Sequence, residues 1–104
     1  MSDLPSISID LPIDDLRMFC KRHPVRRLPL FGSALRLDFT ATSDVDLLVE
    51  YEPGARVTLL DMAQQEIELS ELVGRKVDLR TPNELSRYFR QQVIDEAVTL
   101  YEHD

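Results

Sequence analysis

The apolar positions change period several times along the chain, and each change marks an element. Ile13, Leu16, Phe19 and Cys20 recur at helical spacing, so residues 12–22 read as an amphipathic helix. Pro12 suits its first turn and Pro24 stops it. Residues 28–31, Leu-Pro-Leu-Phe, read as a buried strand, and residues 46–51 as a second. Pro53-Gly54 is turn chemistry. Thr58 and Asp61 are spaced as a reciprocal cap opening a long helix, which Gly74 ends. Leu59, Leu60, Ala63, Ile67 and Leu72 supply the apolar face expected for that helix, with Met62 and Gln64-Gln65 on its wetter side. Residues 75–80 alternate as a strand, Val77 and Leu79 on one face and Lys76, Asp78 and Arg80 on the other. Thr81-Pro82-Asn83-Glu84 is a helix start. Leu85, Phe89 and Val93 continue it, with a break near Ser86. Residues 97–101 read as a last short strand, a continued helix being the alternative. The order predicts an α/β (α+β) fold, a small mixed sheet flanked by helices, in one domain over residues 1–104 with a loose lead-in at 1–10.

The polar residues between the first two strands carry chemistry. Gly32-Ser33 follows the first strand, and Asp44-Val45-Asp46 opens the second, with ten residues, 34–43, between them. Glycine lets the backbone turn sharply and approach a ligand, and serine adds a hydroxyl. Successive N–H groups in such a turn, opening a short helix, form an anion site. Asp44 and Asp46 are two apart at a strand start, so both carboxylates face one side with Cα atoms roughly 6.5–7 Å apart. Their oxygens can converge on one hard cation, and Mg²⁺ favours one or two carboxylates completed by phosphate oxygens. Turn chemistry at Ser43-Asp44 is the plainer alternative.

Gly-Ser, ten residues, then Asp-x-Asp resembles the signature of the DNA polymerase β-like nucleotidyltransferase superfamily. The longer string, from Leu-Phe-Gly-Ser-Ala-Leu-Arg-Leu-Asp-Phe to Ser-Asp-Val-Asp-Leu-Leu-Val-Glu-Tyr, is similar to its minimal members. These MNT proteins are often antitoxins paired with a HEPN-domain toxin, and the likeness runs from about Leu11 to Glu102. The resemblance implies the polymerase β-like fold, with Asp44, Asp46 and Asp78 as catalytic, metal-binding carboxylates for two Mg²⁺ ions. It implies ATP as substrate, its phosphates held by Gly32, Ser33 and Arg36, and AMP passed to a tyrosine hydroxyl of the toxin. Spacing alone leaves Asp78 equally readable as an exposed carboxylate between basic neighbours. Arg36, three residues past Ser33, has a surface salt bridge with Asp38 as its alternative. Larger superfamily members carry a further domain that grips the acceptor; here that grip is expected from a partner or an oligomer.

Charge and composition narrow the alternatives. Twelve basic against nineteen acidic residues give −7, a poor basis for non-specific nucleic-acid binding, so no direct nucleic-acid partner is expected. Lys21, Arg22, Arg26 and Arg27 form a basic cluster, read first as a solvated helix end and second as a contact for phosphate or an acidic partner. A single cysteine, Cys20, excludes an internal disulfide and suits a reducing cytoplasm. No signal-peptide layout or membrane-length apolar run is present. Two histidines, His23 and His103, make a histidine-rich metal site improbable. Two other functions fit the same residues: an antitoxin that neutralises its toxin by covering it, and a nucleotide-binding regulatory module.

Overall fold

The structure, a computed structural model, describes residues 11–32 and 44–103. Ser33, the turn expected at 34–36 with Arg36, the loop anchor Phe39 and the lead-in at 1–10 lie outside the described residues.

Helix α1, Ile13–Arg22, forms as the spacing predicts and buries Leu16, Phe19 and Cys20. Asp14 and Asp15 sit in its first turn, Lys21 and Arg22 in its last, matching the helix dipole. Strand β1, Val25–Phe31, begins three residues earlier than the apolar run, because partners fix it. Its start pairs with β3 (Val25↔Tyr51), and β5 runs antiparallel along Arg27 to Leu30.

The expected strand at 46–51 is two: β2, Val45–Leu48, and β3, Glu50–Tyr51. Between them Val49 is fully buried and donates its N–H to the Arg80 carbonyl (2.9 Å). β2 lies antiparallel to β1 (Leu30↔Leu47, Phe31↔Asp46) and parallel to β4, Val77–Arg80. The sheet runs β3-β1-β2-β4, with β5, Val98–Glu102, also on β1. It is mixed, as expected.

Helix α2, Leu59–Val73, crosses over from β3 to β4. Its capping box is complete: Asp61 N–H donates to Thr58 Oγ1 (3.1 Å), and Thr58 N–H to Asp61 Oδ2 (3.0 Å). Gly74 closes it at φ 81°. The rotation of the helix differs from the sequence reading. Gln65 and Leu69 are buried, and Met62, Leu72 and Val73 pack on the core. Leu59, Leu60, Ala63 and Ile67 face solvent. Polar contacts set this phase. Tyr51 donates its phenol O–H to Gln65 Oε1 (2.7 Å), satisfying the buried amide. Burial, then the charges of Asp61 and Glu84, push that phenol up to about 12, so it stays a donor. On the flank toward β4, Val77 N–H bonds Ser70 Oγ (2.9 Å) and Leu79 N–H bonds Glu66 Oε2 (2.8 Å). These bonds occupy amides that β2 leaves open.

The expected helix from Pro82 also breaks up. Thr81 makes no side-chain cap, Pro82–Glu84 is one 3₁₀ turn, and Leu85 is extended (φ −80°, ψ 147°). Helix α3, Arg90–Glu96, starts after Phe89, which is half exposed. The strand alternative then prevails at the C-terminal end, because β1 offers β5 a ladder. Tyr101 on β5 packs against the core, as expected. Two members of the basic cluster have acidic partners: Arg22 bonds Glu68 (2.6 Å), and Arg27 pairs with Glu50. Only Lys21 and Arg22 belong to the helix end; Arg26 and Arg27 lie on β1.

Candidate functional site

Alternation along β2 and β4 sorts the side chains. Val45, Leu47, Val77 and Leu79 are buried in the core. Asp46 and Asp78 alternate with them and so project from the opposite face of the sheet. The parallel register sets Asp46 directly beside Asp78. Neighbouring strands lie about 4.8 Å apart, so the two carboxylates are side by side on one surface. Asp44 stands exposed at the mouth of β2, two residues upstream. The N–H of Val45 on the Lys76 carbonyl (2.9 Å) ties that mouth to the start of β4.

The bend after β1 closes against the same carboxylate. Phe31 pairs with Asp46, and Gly32 follows it at φ 77°. A Cβ on Gly32 would overlap the Asp46 carboxylate, at 2.9 Å from its Cγ and 3.1 Å from its Cβ. Only glycine gives this turn and this approach together. The structure therefore brings Gly32, Asp46 and Asp78 to one place; Asp44 is two residues upstream of Asp46, and the three carboxylates do not gather into one metal-binding group. Ser33 and Arg36 are outside the described residues.

Arg80 belongs to the same surface, and the sequence reading assigns it no role. It lies two residues beyond Asp78 and donates from Nε (3.3 Å) and Nη2 (3.2 Å) to Asp78 Oδ2. Strand alternation already puts both on one face; only the coordinates show the pairing. Among the described residues no three His, Cys, Asp or Glu side chains form a ready-made metal cage. The donors still fit a hard divalent cation. Two carboxylates in register beside a backbone that leaves no room for a side chain are the partial shell that Mg²⁺ accepts when phosphate oxygens complete it.

Other reactive groups have structural settings. Cys20 is buried, and burial pushes its thiol up to about 12, far from a nucleophilic thiolate. His23 stacks on Phe19 (centroids 4.4 Å apart) and contacts Glu68 (3.1 Å). No helix among the described residues is long and apolar enough to cross a membrane.

Comparison with known proteins identifies the family. A family described as the nucleotidyltransferase domain matches residues 14–100. A chain of Methanocaldococcus jannaschii named as a protein adenylyltransferase is 38% identical over 77 residues, covering 74% of this chain and 81% of that one. The protein adenylyltransferase MntA of Thermococcus cleftensis is 35% identical over 78 residues, covering 75% and 77%. A solved minimal nucleotidyltransferase superposes with a TM-score of 0.68 at 38% identity, covering 82% of this chain and 85% of its own. A chain from a toxin–antitoxin crystal structure with AMP-PNP gives 0.73 over 90% and 76%; at 19% identity it speaks to the fold alone. The in-register aspartates and the glycine bend lie within the matched span, and the chain belongs to the nucleotidyltransferase family as one of its minimal members.

Proposed function

We propose that this enzyme is the antitoxin of a toxin–antitoxin pair and moves AMP from ATP to a tyrosine hydroxyl of a HEPN-domain toxin. The observation that carries the reading is the Asp46–Asp78 register against Gly32. The names of its relatives, which are protein adenylyltransferases, support the reaction class. The fold it shares with chains solved in MntA–HepT toxin–antitoxin assemblies supports the kind of partner.

In this reading Asp44 and Asp46 would hold one Mg²⁺, and Asp46 and Asp78 would help hold a second. When bound, the metals neutralise phosphate charge and lower the pKa of the acceptor hydroxyl. Gly32 would present its backbone N–H to the phosphates, with Ser33 and Arg36 adding a hydroxyl and a guanidinium. The acceptor oxygen attacks the α-phosphorus in line. The bond from the α-phosphorus to the bridging oxygen breaks, pyrophosphate leaves with its electron pair, and the hydroxyl proton passes to a site carboxylate. Acceptor recognition falls to the partner's own surface.

The test is transfer of label from α-labelled ATP to the co-expressed partner, read beside the partner's intact mass. Wild type is expected to add the mass of AMP, and Asp44→Asn with Asp46→Asn to add none while keeping its circular dichroism. A double variant that still neutralises the toxin fully would assign the protection to covering instead of chemistry. Wild type that binds ATP with Mg²⁺ yet labels nothing would make the chain a regulatory nucleotide-binding module.

A further inference from the structure

Arg80 shares a face with the aspartates and holds one of them. Asp78 and Arg80 are two residues apart on β4, so both project from the face opposite the core. The arginine donates from Nε (3.3 Å) and Nη2 (3.2 Å), and both bonds go to Oδ2 of Asp78. The neighbouring strand sets Asp46 beside Asp78 in register. Two carboxylates at strand spacing repel, and a guanidinium on one of them offsets that repulsion. The pair is open to water: the Arg80 side chain is 47% exposed and that of Asp78 33%. An ion pair this exposed is weak, so it forms and breaks readily.

We propose that Arg80 is the resident counter-ion of Asp78, a positioning residue that sets how tightly the aspartate pair takes a divalent cation. The proposal rests on the reading of Asp46 and Asp78 as metal ligands. The Oδ2 lone pairs that accept from Arg80 are those a hard cation would need. Asp78 must let go of the guanidinium before that oxygen can ligate, and the arginine's charge beside the site opposes a second cation. Arg80 thus lowers the affinity for an ion that arrives without phosphates. Triphosphate oxygens add negative charge and ligands of their own, which offsets the arginine. The side chain alone carries this role. The ladder uses the Arg80 backbone carbonyl, which accepts from Val49 N–H (2.9 Å), so Arg80→Gln should keep the fold.

Mn²⁺ binding to the full chain without nucleotide, read by electron paramagnetic resonance of the unbound ion, tests the proposal. Arg80→Gln should bind about fivefold more tightly than wild type, the upper end of what an exposed ion pair is worth against a competitor. Arg80→Lys keeps the charge and should stay near wild type. In an Asp78→Asn background Arg80→Gln should change nothing, because the arginine acts through Asp78. Circular dichroism and Tm should match wild type in both Arg80 variants. Arg80→Gln that binds Mn²⁺ no more tightly than wild type overturns the proposal. So does Arg80→Lys that binds as tightly as Arg80→Gln, or Arg80→Gln that acts equally with and without Asp78. Those three results leave the transferase reading intact. Mn²⁺ binding indifferent to both Asp46→Asn and Asp78→Asn overturns the metal reading of the carboxylates, and this proposal with it.

Discussion

Gly32→Ala is the most discriminating single substitution, because two effects of different size act at one atom. The first is backbone strain. Gly32 has φ 77°, and an L-residue in the left-handed region costs about 1–2 kcal/mol. For a domain near 100 residues that is a Tm loss of about 4–8 °C per kcal/mol. The second is displacement. The new methyl overlaps the Asp46 carboxylate, whose Cγ lies 2.9 Å from the built Cβ, so the carboxylate must turn away. Misplacing a catalytic group by about 1 Å costs on the order of a hundredfold in rate. Gly74→Ala separates the two effects. Gly74 has φ 81°, but a Cβ there meets nothing within 4 Å. It should lose stability by a similar amount, from the helix end alone, and keep its turnover. The assay is kcat/KM for AMP transfer beside a thermal melt for each variant. Gly32→Ala is expected to fall about a hundredfold in kcat/KM, and Gly74→Ala to stay at wild type. Wild-type turnover in Gly32→Ala, or equal losses in both variants, refutes the claim that the bend positions Asp46.

Three further outcomes are expected. Thr58→Ala removes the hydroxyl that accepts from Asp61 N–H and should cost about 1 kcal/mol, read as an earlier urea midpoint with unchanged m-value. Cys20, with its thiol pushed up to about 12 by burial, should resist an aromatic disulfide reagent in the native state and react at the rate of global opening; fast native labelling refutes its burial. Burial alone would raise the Glu68 carboxyl, but hydrogen bonds from Arg22 and His23 outweigh it and hold the group below its ordinary 4.5. Its contribution is therefore complete above that value and lost as pH falls through the lower folded value, so the Tm gap between wild type and Glu68→Gln should close in acid.

Local patterns determined the elements whose causes are local. The spacing of Leu16, Phe19 and Cys20 gave α1, the Thr58–Asp61 cap gave the start of α2, and Gly74 its end. The two-residue step from Asp44 to Asp46 and the glycine before it marked the candidate site, because turn and strand periodicity are short-range properties. The nucleotidyltransferase family was legible in the same stretch. The tertiary structure decided what depends on residues far apart. The pairing of Asp46 with Asp78 needs β2 and β4 in one particular register across 32 positions, and no local rule sets it. The partnership of Arg80 with Asp78 follows from that placement. Periodicity reports which side chains share a face of α2. With apolar residues on two faces, it cannot report which face enters the core. That choice came from Tyr51 on Gln65 and from the β4 amides on Ser70 and Glu66, all contacts between elements. The strong helix signal after Thr81 likewise yielded to the chain's route back to β1, where β5 completes a ladder that an extended α3 would have removed.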